Sequence, residues 1–225
     1  MYYNTGGKVD AWFLTHPHKD HVGAFTKVFS EEEPKITVEN IYCSVNPLSW
    51  YEQYDSTRKE EVEEFLTVLD TMKDKVKEPN LHEIITIDNV SCKILGIKNP
   101  EITNNAGNNS SMVVQMKVGD KKILFLGDTG EESSTKLIQN NSKEDLQCQI
   151  VQMAHHGQSG ATKELYTIIQ PKVCLWPTTE WLWNNDSGTG EDTGPWKTKE
   201  TRAWMQELEV KQHIIGKDGD VTIQI

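Results

Sequence analysis

The chain of 225 residues contains no apolar run long enough to span a bilayer and no basic-then-apolar leader. It therefore reads as soluble, with the cytoplasm favoured over secretion. Cysteine is sparse: Cys43, Cys92, Cys148 and Cys174 stand singly, and no Cys-x-x-Cys spacing occurs. That argues against a zinc ribbon and for buried free thiols rather than disulfides, and leaves the redox compartment open. Positive charge is also short, with 23 Lys and Arg against 34 Asp and Glu and a formal net charge of −11. No basic stripe appears, which weighs against a broad electrostatic surface for nucleic acid, although two bound dications would offset about four charges locally. There is no internal repeat. The length is enough to bury a sizeable core, and one domain over residues 1–225 is the expectation.

What the chain does have is a concentration of metal-ligating side chains. The apolar run Ala11-Trp12-Phe13-Leu14 reads as a buried strand, and it ends in Thr15-His16-Pro17-His18-Lys19-Asp20-His21-Val22-Gly23. His16 and His18 sit two apart, so at a strand end they can point to one side. Asp20 and His21 follow where the chain turns. Imidazoles with a carboxylate form the donor set preferred by zinc and similar divalent ions. A polar surface turn would seldom place three histidines and an aspartate in six positions directly after a hydrophobic strand.

Two later segments repeat the design. Ile123-Leu124-Phe125-Leu126 runs into Gly127-Asp128-Thr129-Gly130, which places a carboxylate at a strand end between glycines. Val151-Gln152-Met153-Ala154 runs into His155-His156-Gly157. Gly-Asp-Thr-Gly alone is also an ordinary turn. Three strands that each end in ligands, delivered to one edge of a sheet, are a far more specific signal.

Between these segments the pattern predicts an α/β alternation. Helices are expected over 22–30, 55–77, 131–139, 162–169 and 199–208. The helix at 55–77 is the clearest, with Val62, Phe65, Leu66, Leu69 and Met72 on one face and Asp55, Ser56 and Thr57 as candidate caps. Strands are expected over 36–44, 83–88, 90–97, 112–118, 121–126, 150–154 and 173–176, the pair at 112–126 forming a hairpin through Gly119-Asp120. Residues 104–111 and 184–195 read as loops, and 213–215 with 221–225 as a closing hairpin. Trp176 suits a core. Trp181 and Trp183, in an extended segment, would put both rings on one side, where with Trp196 they are candidates to line a cleft that holds a quaternary ammonium or a base. Simple packing competes with that reading. Lys197 and Lys199 read as solvated, and His82 as a surface residue.

His16-x-His18-x-Asp20-His21 after an apolar strand resembles the signature of the metallo-β-lactamase fold hydrolases. Asn108-Asn109-Ser110-Ser111, Gly127-Asp128 and His155-His156-Gly157 are similar to the ComEC-type competence protein hydrolase domain and to phosphorylcholine esterases. The resemblance spans residues 9–225 and departs at Asp192-Thr193-Gly194-Pro195-Trp196, where ComEC-like domains carry an Asn-x-Tyr-Gly-His-Pro stretch. It implies a four-layer αββα sandwich, here with the motif so near the start that the first strands of the fold are expected to be missing. It also implies two divalent metal ions, zinc first, with manganese or iron as alternatives. His16 and His18 would bind one, Asp20 and His21 the other, with Asp128 bridging and His155 completing the second site. His156 is then a candidate to stabilise the transition state or protonate the leaving oxygen, and Asp20 counts as catalytic as well as ligating. The mid-chain histidine of lactam-hydrolysing members has no counterpart. The expected activity is phosphodiester or phosphoester hydrolysis. The alternatives are an inactive binding or structural module on the same fold, or a hydrolase of another ester or lactam class. Substrate, metal identity and oligomeric state stay open.

Overall fold

The computed structural model describes residues 6–223. Two sheets carry the chain. The first is parallel, in the order β1 (Lys8–Leu14), β2 (Thr37–Cys43) and β3 (Val76–Lys77). Helix α1 (Lys19–Phe29) crosses from β1 to β2, and helices α2 (Leu48–Tyr54) and α3 (Lys59–Thr71) lead from β2 to β3. The second sheet begins as an antiparallel meander of β4 (Ile84–Ile87), β5 (Val90–Gly96), β6 (Val113–Val118) and β7 (Lys121–Phe125). It continues in parallel through β8 (Ile150–Gln152), β9 (Val173–Trp176) and β10 (Gln212–Ile215). The one-turn helix α4 (Ala106–Asn109) precedes β6. Helices α5 (Glu131–Asn140) and α6 (Lys143–Leu146) join β7 to β8, α7 (Lys163–Ile169) joins β8 to β9, and α8 (Glu180–Trp183) and α9 (Thr198–Glu207) lead to β10.

Three apolar clusters stack these elements into layers. Val22 and Phe25 of α1 and Phe65, Val68 and Leu69 of α3 cover one face of the first sheet at Leu14, Val38 and Ile41. Between the sheets, Ala11, Phe13 and Tyr42 meet Ile85, Cys92, Ile94, Met112 and Val114, with the Phe13 and Tyr42 rings stacked 4.9 Å apart. On the outer face of the second sheet, Leu137, Leu146, Leu165, Tyr166 and Met205 from α5, α6, α7 and α9 pack on Leu124, Val151, Cys174 and Trp176. The result is helix, sheet, sheet, helix, the expected αββα sandwich. Each sheet is apolar on both faces because each is covered on both.

Four expectations are corrected. The helix predicted over 55–77 spans Lys59–Thr71 after a 3-10 turn at Ser56–Arg58, and Val76–Lys77 turns into a strand. The Asp55, Ser56 and Thr57 caps are not used: neither the turn nor α3 has a side-chain N-cap bond. The closing hairpin is replaced by a parallel pairing of β10 with β9, and 221–223 carries no strand, while 224–225 lie outside the described residues. The predicted loop at 104–111 contains α4, and α2 lies where no element was expected. Both short helices bear on the site.

Candidate metal centre

β1 ends at Leu14 and hands the chain to Thr15–His18, while α1 starts at Lys19 with His18 as its N-cap. The amides of His21 and Val22 both donate to the His18 carbonyl, at 2.9 and 3.0 Å, which fixes the turn that brings Asp20 and His21 back beside His16. The rings of His16 lie 4.6 Å from His18 and 4.1 Å from His21. The Met112 amide donates to the Thr15 carbonyl at 2.8 Å, tying the motif to the second sheet.

β7 and β8 run parallel and end at the same edge. The amides of Leu126 and Gly127 donate to Gln152 Oε1, and Gly127, at φ +56°, packs a side-chain-free backbone against Ser111, whose Oγ would lie 2.9 Å from any Cβ placed there. Asp128 is thereby delivered into the buried centre, 2 % exposed. Past β8, the His155 amide donates to the Gly127 carbonyl, and both His155 and His156 take left-handed backbone, φ +50° and +59°. Such conformations cost a non-glycine residue about 1–3 kcal/mol each. Here they turn two neighbouring rings towards the same carboxylate.

Asp128 is the hub. Its Oδ1 lies 3.1 Å from His21 Nε2, and its Oδ2 lies 3.7 Å from His16 Nε2, 3.8 Å from His155 Nε2 and 3.7 Å from His156 Nε2. Asp20 Oδ2 sits 3.0 Å from His156 Nε2 and 3.7 Å from His21 Nε2. One donor atom from each of Asp20, His21, Asp128 and His156 falls within 4.8 Å of the others, spacing suited to one metal ion. His16 Nε2, His21 Nε2 and Asp128 Oδ1 are buried without a hydrogen-bond partner, the 3.1 Å contact being too poorly aligned to count. Leaving such atoms unpaired costs about 1–3 kcal/mol apiece, and a cation would satisfy all three. The residues present therefore fit a divalent metal centre.

Charge follows the same geometry. Burial holds His16 well below the usual imidazole range, so it is neutral and able to ligate. The His156 hydrogen bond holds the Asp20 carboxyl far below its usual range. Burial opposes ionisation of Asp128, but the surrounding imidazoles of His21 and His16 outweigh it and keep the carboxylate charged. Burial lowers His155, whereas the Asp20 carboxylate more than offsets burial at His156 and raises it.

Hydrogen bonds from neighbouring residues orient these groups. His16 Nδ1 meets Thr15 Oγ1 at 3.1 Å and Ser111 Oγ at 3.2 Å, and Ser111 Oγ also accepts from the Asp128 amide at 2.9 Å. Asn109 Oδ1 accepts from the Gly130 and Ser133 amides and the Ser133 hydroxyl, clamping the loop after Asp128. His156 Nδ1 donates to the Pro177 carbonyl at 3.0 Å, leaving Nε2 for the site. His155 Nδ1 faces the Ser159 carbonyl at 3.4 Å, and its Nε2 meets the side-chain nitrogens of Gln158 (Nε2) at 3.0 Å and Asn108 (Nδ2) at 3.4 Å.

The structure thus gathers His16, His21, Asp20, Asp128, His155 and His156 at one sheet edge, with His18 beside His16. It separates the tryptophans. The extended segment expected at 181–183 is helix α8, on which residues two apart point to different sides. Trp183 packs edge-on against Trp176 at 5.3 Å and under the Arg202 guanidinium, while exposed Trp181 meets Trp196 at 4.8 Å. His82 is exposed and bonds Asn141, and exposed Lys199 pairs with Asp192 and Glu191. Sequence reasoning does not mark Ser111 and Asn109 as site residues, nor Asp55, whose Oδ2 lies 2.8 Å from His18 Nε2, nor Gly107, which packs over that pair. The first two lie in the Asn-Asn-Ser-Ser stretch noted above, the only signal for them, and Asp55 reads in sequence as a helix cap.

The metallo-beta-lactamase superfamily model matches residues 3–170. No curated protein matches. Among solved structures, a protein of Parabacteroides distasonis described as a metal-dependent hydrolase is 14% identical, with a TM-score of 0.51 over 95% of this chain and 79% of that one. CmlA, a diiron β-hydroxylase from Streptomyces venezuelae, is 10% identical with a TM-score of 0.57, and the match covers 96% of this chain but 45% of that one. At these identities the likeness is one of fold. The family match over most of the length, on a sandwich whose strand ends converge on this cluster, places the chain in the metallo-β-lactamase superfamily.

Proposed function

We propose that the chain is a metal-dependent phosphodiesterase or phosphoesterase that works with two divalent ions. Superfamily membership makes a metal-dependent hydrolase the broad class. The observation that carries the reading is the convergence of three buried, unpartnered donor atoms, His16 Nε2, His21 Nε2 and Asp128 Oδ1. Asp20, His21, Asp128 and His156 form one ligand set. His16 and His18 with Asp128 Oδ2 begin the other. His16, His155 and His156 all present Nε2 at 3.7–3.8 Å from that oxygen, and His156 is already grouped with Asp20 and His21, which supports His155 as the third nitrogen donor here in place of a mid-chain histidine. On this reading His156 takes the second-site place that the sequence suggested for His155, and His155 joins the first site. His156 Nδ1 is held by the Pro177 carbonyl, and its Nε2 is the nitrogen that faces the Asp20, His21 and Asp128 donors, so His156 is read as a ligand of that set.

Bound metals supply water activated near neutral pH and positive charge at the substrate's oxygens. The residues supply the rest. Asp128 spans the two sets with its two oxygens, Ser111 holds both Asp128 and His16 in register, and the half-exposed Asp20 side chain leaves that side of the centre open to substrate. Zinc suits the imidazole-rich donors, and manganese or iron also accept them. The ComEC-like Asn-Asn-Ser-Ser and His-His-Gly segments favour a phosphodiester substrate over a lactam. The net charge of −11 favours a small phosphodiester over long nucleic acid.

The purified chain is expected to take up about two equivalents of zinc or manganese and to hydrolyse bis-p-nitrophenyl phosphate. Asp128→Ala should lower metal content and abolish turnover while the fold persists. A folded chain that acquires no metal on soaking overturns the reading and marks a binding module. Metal uptake with lactam hydrolysis alone overturns the phosphoester assignment.

A further inference from the structure

Most of the centre's histidines turn their outer nitrogen to a neutral partner: hydroxyls for His16, a backbone carbonyl for His156, and a carbonyl near His155. His18 differs. Its Nε2 lies 2.8 Å from Asp55 Oδ2, across 37 residues of sequence. A carboxylate accepts only from a protonated ring nitrogen, so Nε2 carries the hydrogen and Nδ1 keeps the lone pair. His16 is arranged the other way round, with Nδ1 at the Thr15 and Ser111 hydroxyls and Nε2 left unpartnered. The two histidines of one strand end thus offer opposite ring nitrogens.

The contact is built from several directions. Asp55 follows α2, where its amide donates to the Tyr51 carbonyl at 2.8 Å and its carbonyl accepts from the Arg58 amide at 3.0 Å. Trp50 and Tyr51 of α2, Val62 of α3 and Ala106 of α4 form one small apolar cluster, which locks these three helices together beside the metal loop. Gly107, next to Ala106, lies so close over the pair that a Cβ there would come within 2.2 Å of Asp55 Oδ2 and 2.3 Å of His18 Nε2. The His18 and Asp55 side chains are only 8% and 17% exposed, so the hydrogen bond is largely shut off from water.

We propose that Asp55 is a positioning residue for the metal centre, fixing the tautomer and orientation of His18 and making it a stronger donor to one of the two ions. The inference rests on the reading of His16 and His18 as ligands of one metal. A carboxylate behind a metal-bound imidazole raises its basicity and holds its ring plane, and loss of such a partner costs about 10–100-fold in metal affinity. On the other ion's side, the outer nitrogen of His156 meets the neutral Pro177 carbonyl, so losing Asp55 should affect the two ions unequally.

The test is metal titration of the metal-free full chain against a chromophoric chelator, with zinc and then cobalt, for wild type, Asp55→Ala, Asp55→Asn and Gly107→Ala. Asp55→Ala is expected to weaken one of the two equivalents about 10–100-fold, to alter the cobalt absorption of that equivalent, and to leave the other within twofold. Asp55→Asn, which keeps an acceptor oxygen without the charge, should fall between, and it remains informative if the alanine variant does not fold. Gly107→Ala should weaken the same equivalent. Wild-type binding of both equivalents by Asp55→Ala and Asp55→Asn overturns the proposal, as does equal weakening of both. Failure of the wild-type chain to bind any metal overturns the underlying metal-centre reading instead.

Discussion

At the scale of single residues, the His-x-His-x-Asp-His motif is readable because its residues are contiguous, whereas the placing of the His155 and His156 rings is not. Two neighbours in sequence carry the same chemistry, and only backbone angles decide where each ring goes. Both adopt left-handed φ, and Gly157 continues the turn at φ +83°. A Cβ at Gly157 would lie 2.3 Å from the Trp176 ring. Gly157→Ala therefore combines a strained backbone with overpacking and is expected to cost about 2–4 kcal/mol. Urea unfolding measures this, and a midpoint within error of wild type would contradict the close approach. Asp55 was invisible for a different reason. An aspartate before a helical pattern reads as a cap, and nothing local says that it faces a histidine 37 residues away.

At the scale of elements, the amphipathic pattern around Val62, Phe65 and Leu69 identified α3 correctly, since three- and four-residue spacing makes a buried stripe in any helix. Phe65 is fully buried and packs on Phe25 of α1 with ring centres 6.0 Å apart, holding the helix that begins at the metal motif. Phe65→Ala should destabilise by about 3–5 kcal/mol, while Glu64→Ala, on the exposed face, should stay within about 0.5 kcal/mol. Thermal or denaturant unfolding of the two variants checks this, and equal effects would refute the assigned face. Helices α2, α4 and α8 were not anticipated because each is too short for periodicity to register. Trp181-Leu182-Trp183 illustrates the consequence. As a strand it would present both rings to one cleft, but as one helical turn it sends Trp183 to Trp176 and Trp181 to Trp196.

At the scale of the whole molecule, the two covered sheets explain the cysteines. Cys43, Cys92, Cys148 and Cys174 are all free and buried, and burial pushes the thiols of Cys43, Cys148 and Cys174 up to about 12. A buried, protonated thiol is a poor nucleophile. The native chain should leave 5,5′-dithiobis(2-nitrobenzoate) unreacted at pH 8 and release four equivalents in guanidinium. Rapid reaction of any thiol in the native state would show that a layer is open. No helix among the described residues is long and apolar enough to cross a membrane.

The sequence by itself determined the ligand types, their placement at strand ends and the α/β alternation, because these follow from side-chain chemistry and from periods of two and 3.6 residues. It also carried the superfamily signature in His16 to His21. The tertiary structure alone decided that β10 pairs parallel with β9, that His156 closes on Asp20, and that Asp55 and Gly107 meet His18. Each of these depends on contacts between segments tens of residues apart, whose energies come from layers packing against one another and leave no local trace in the chain.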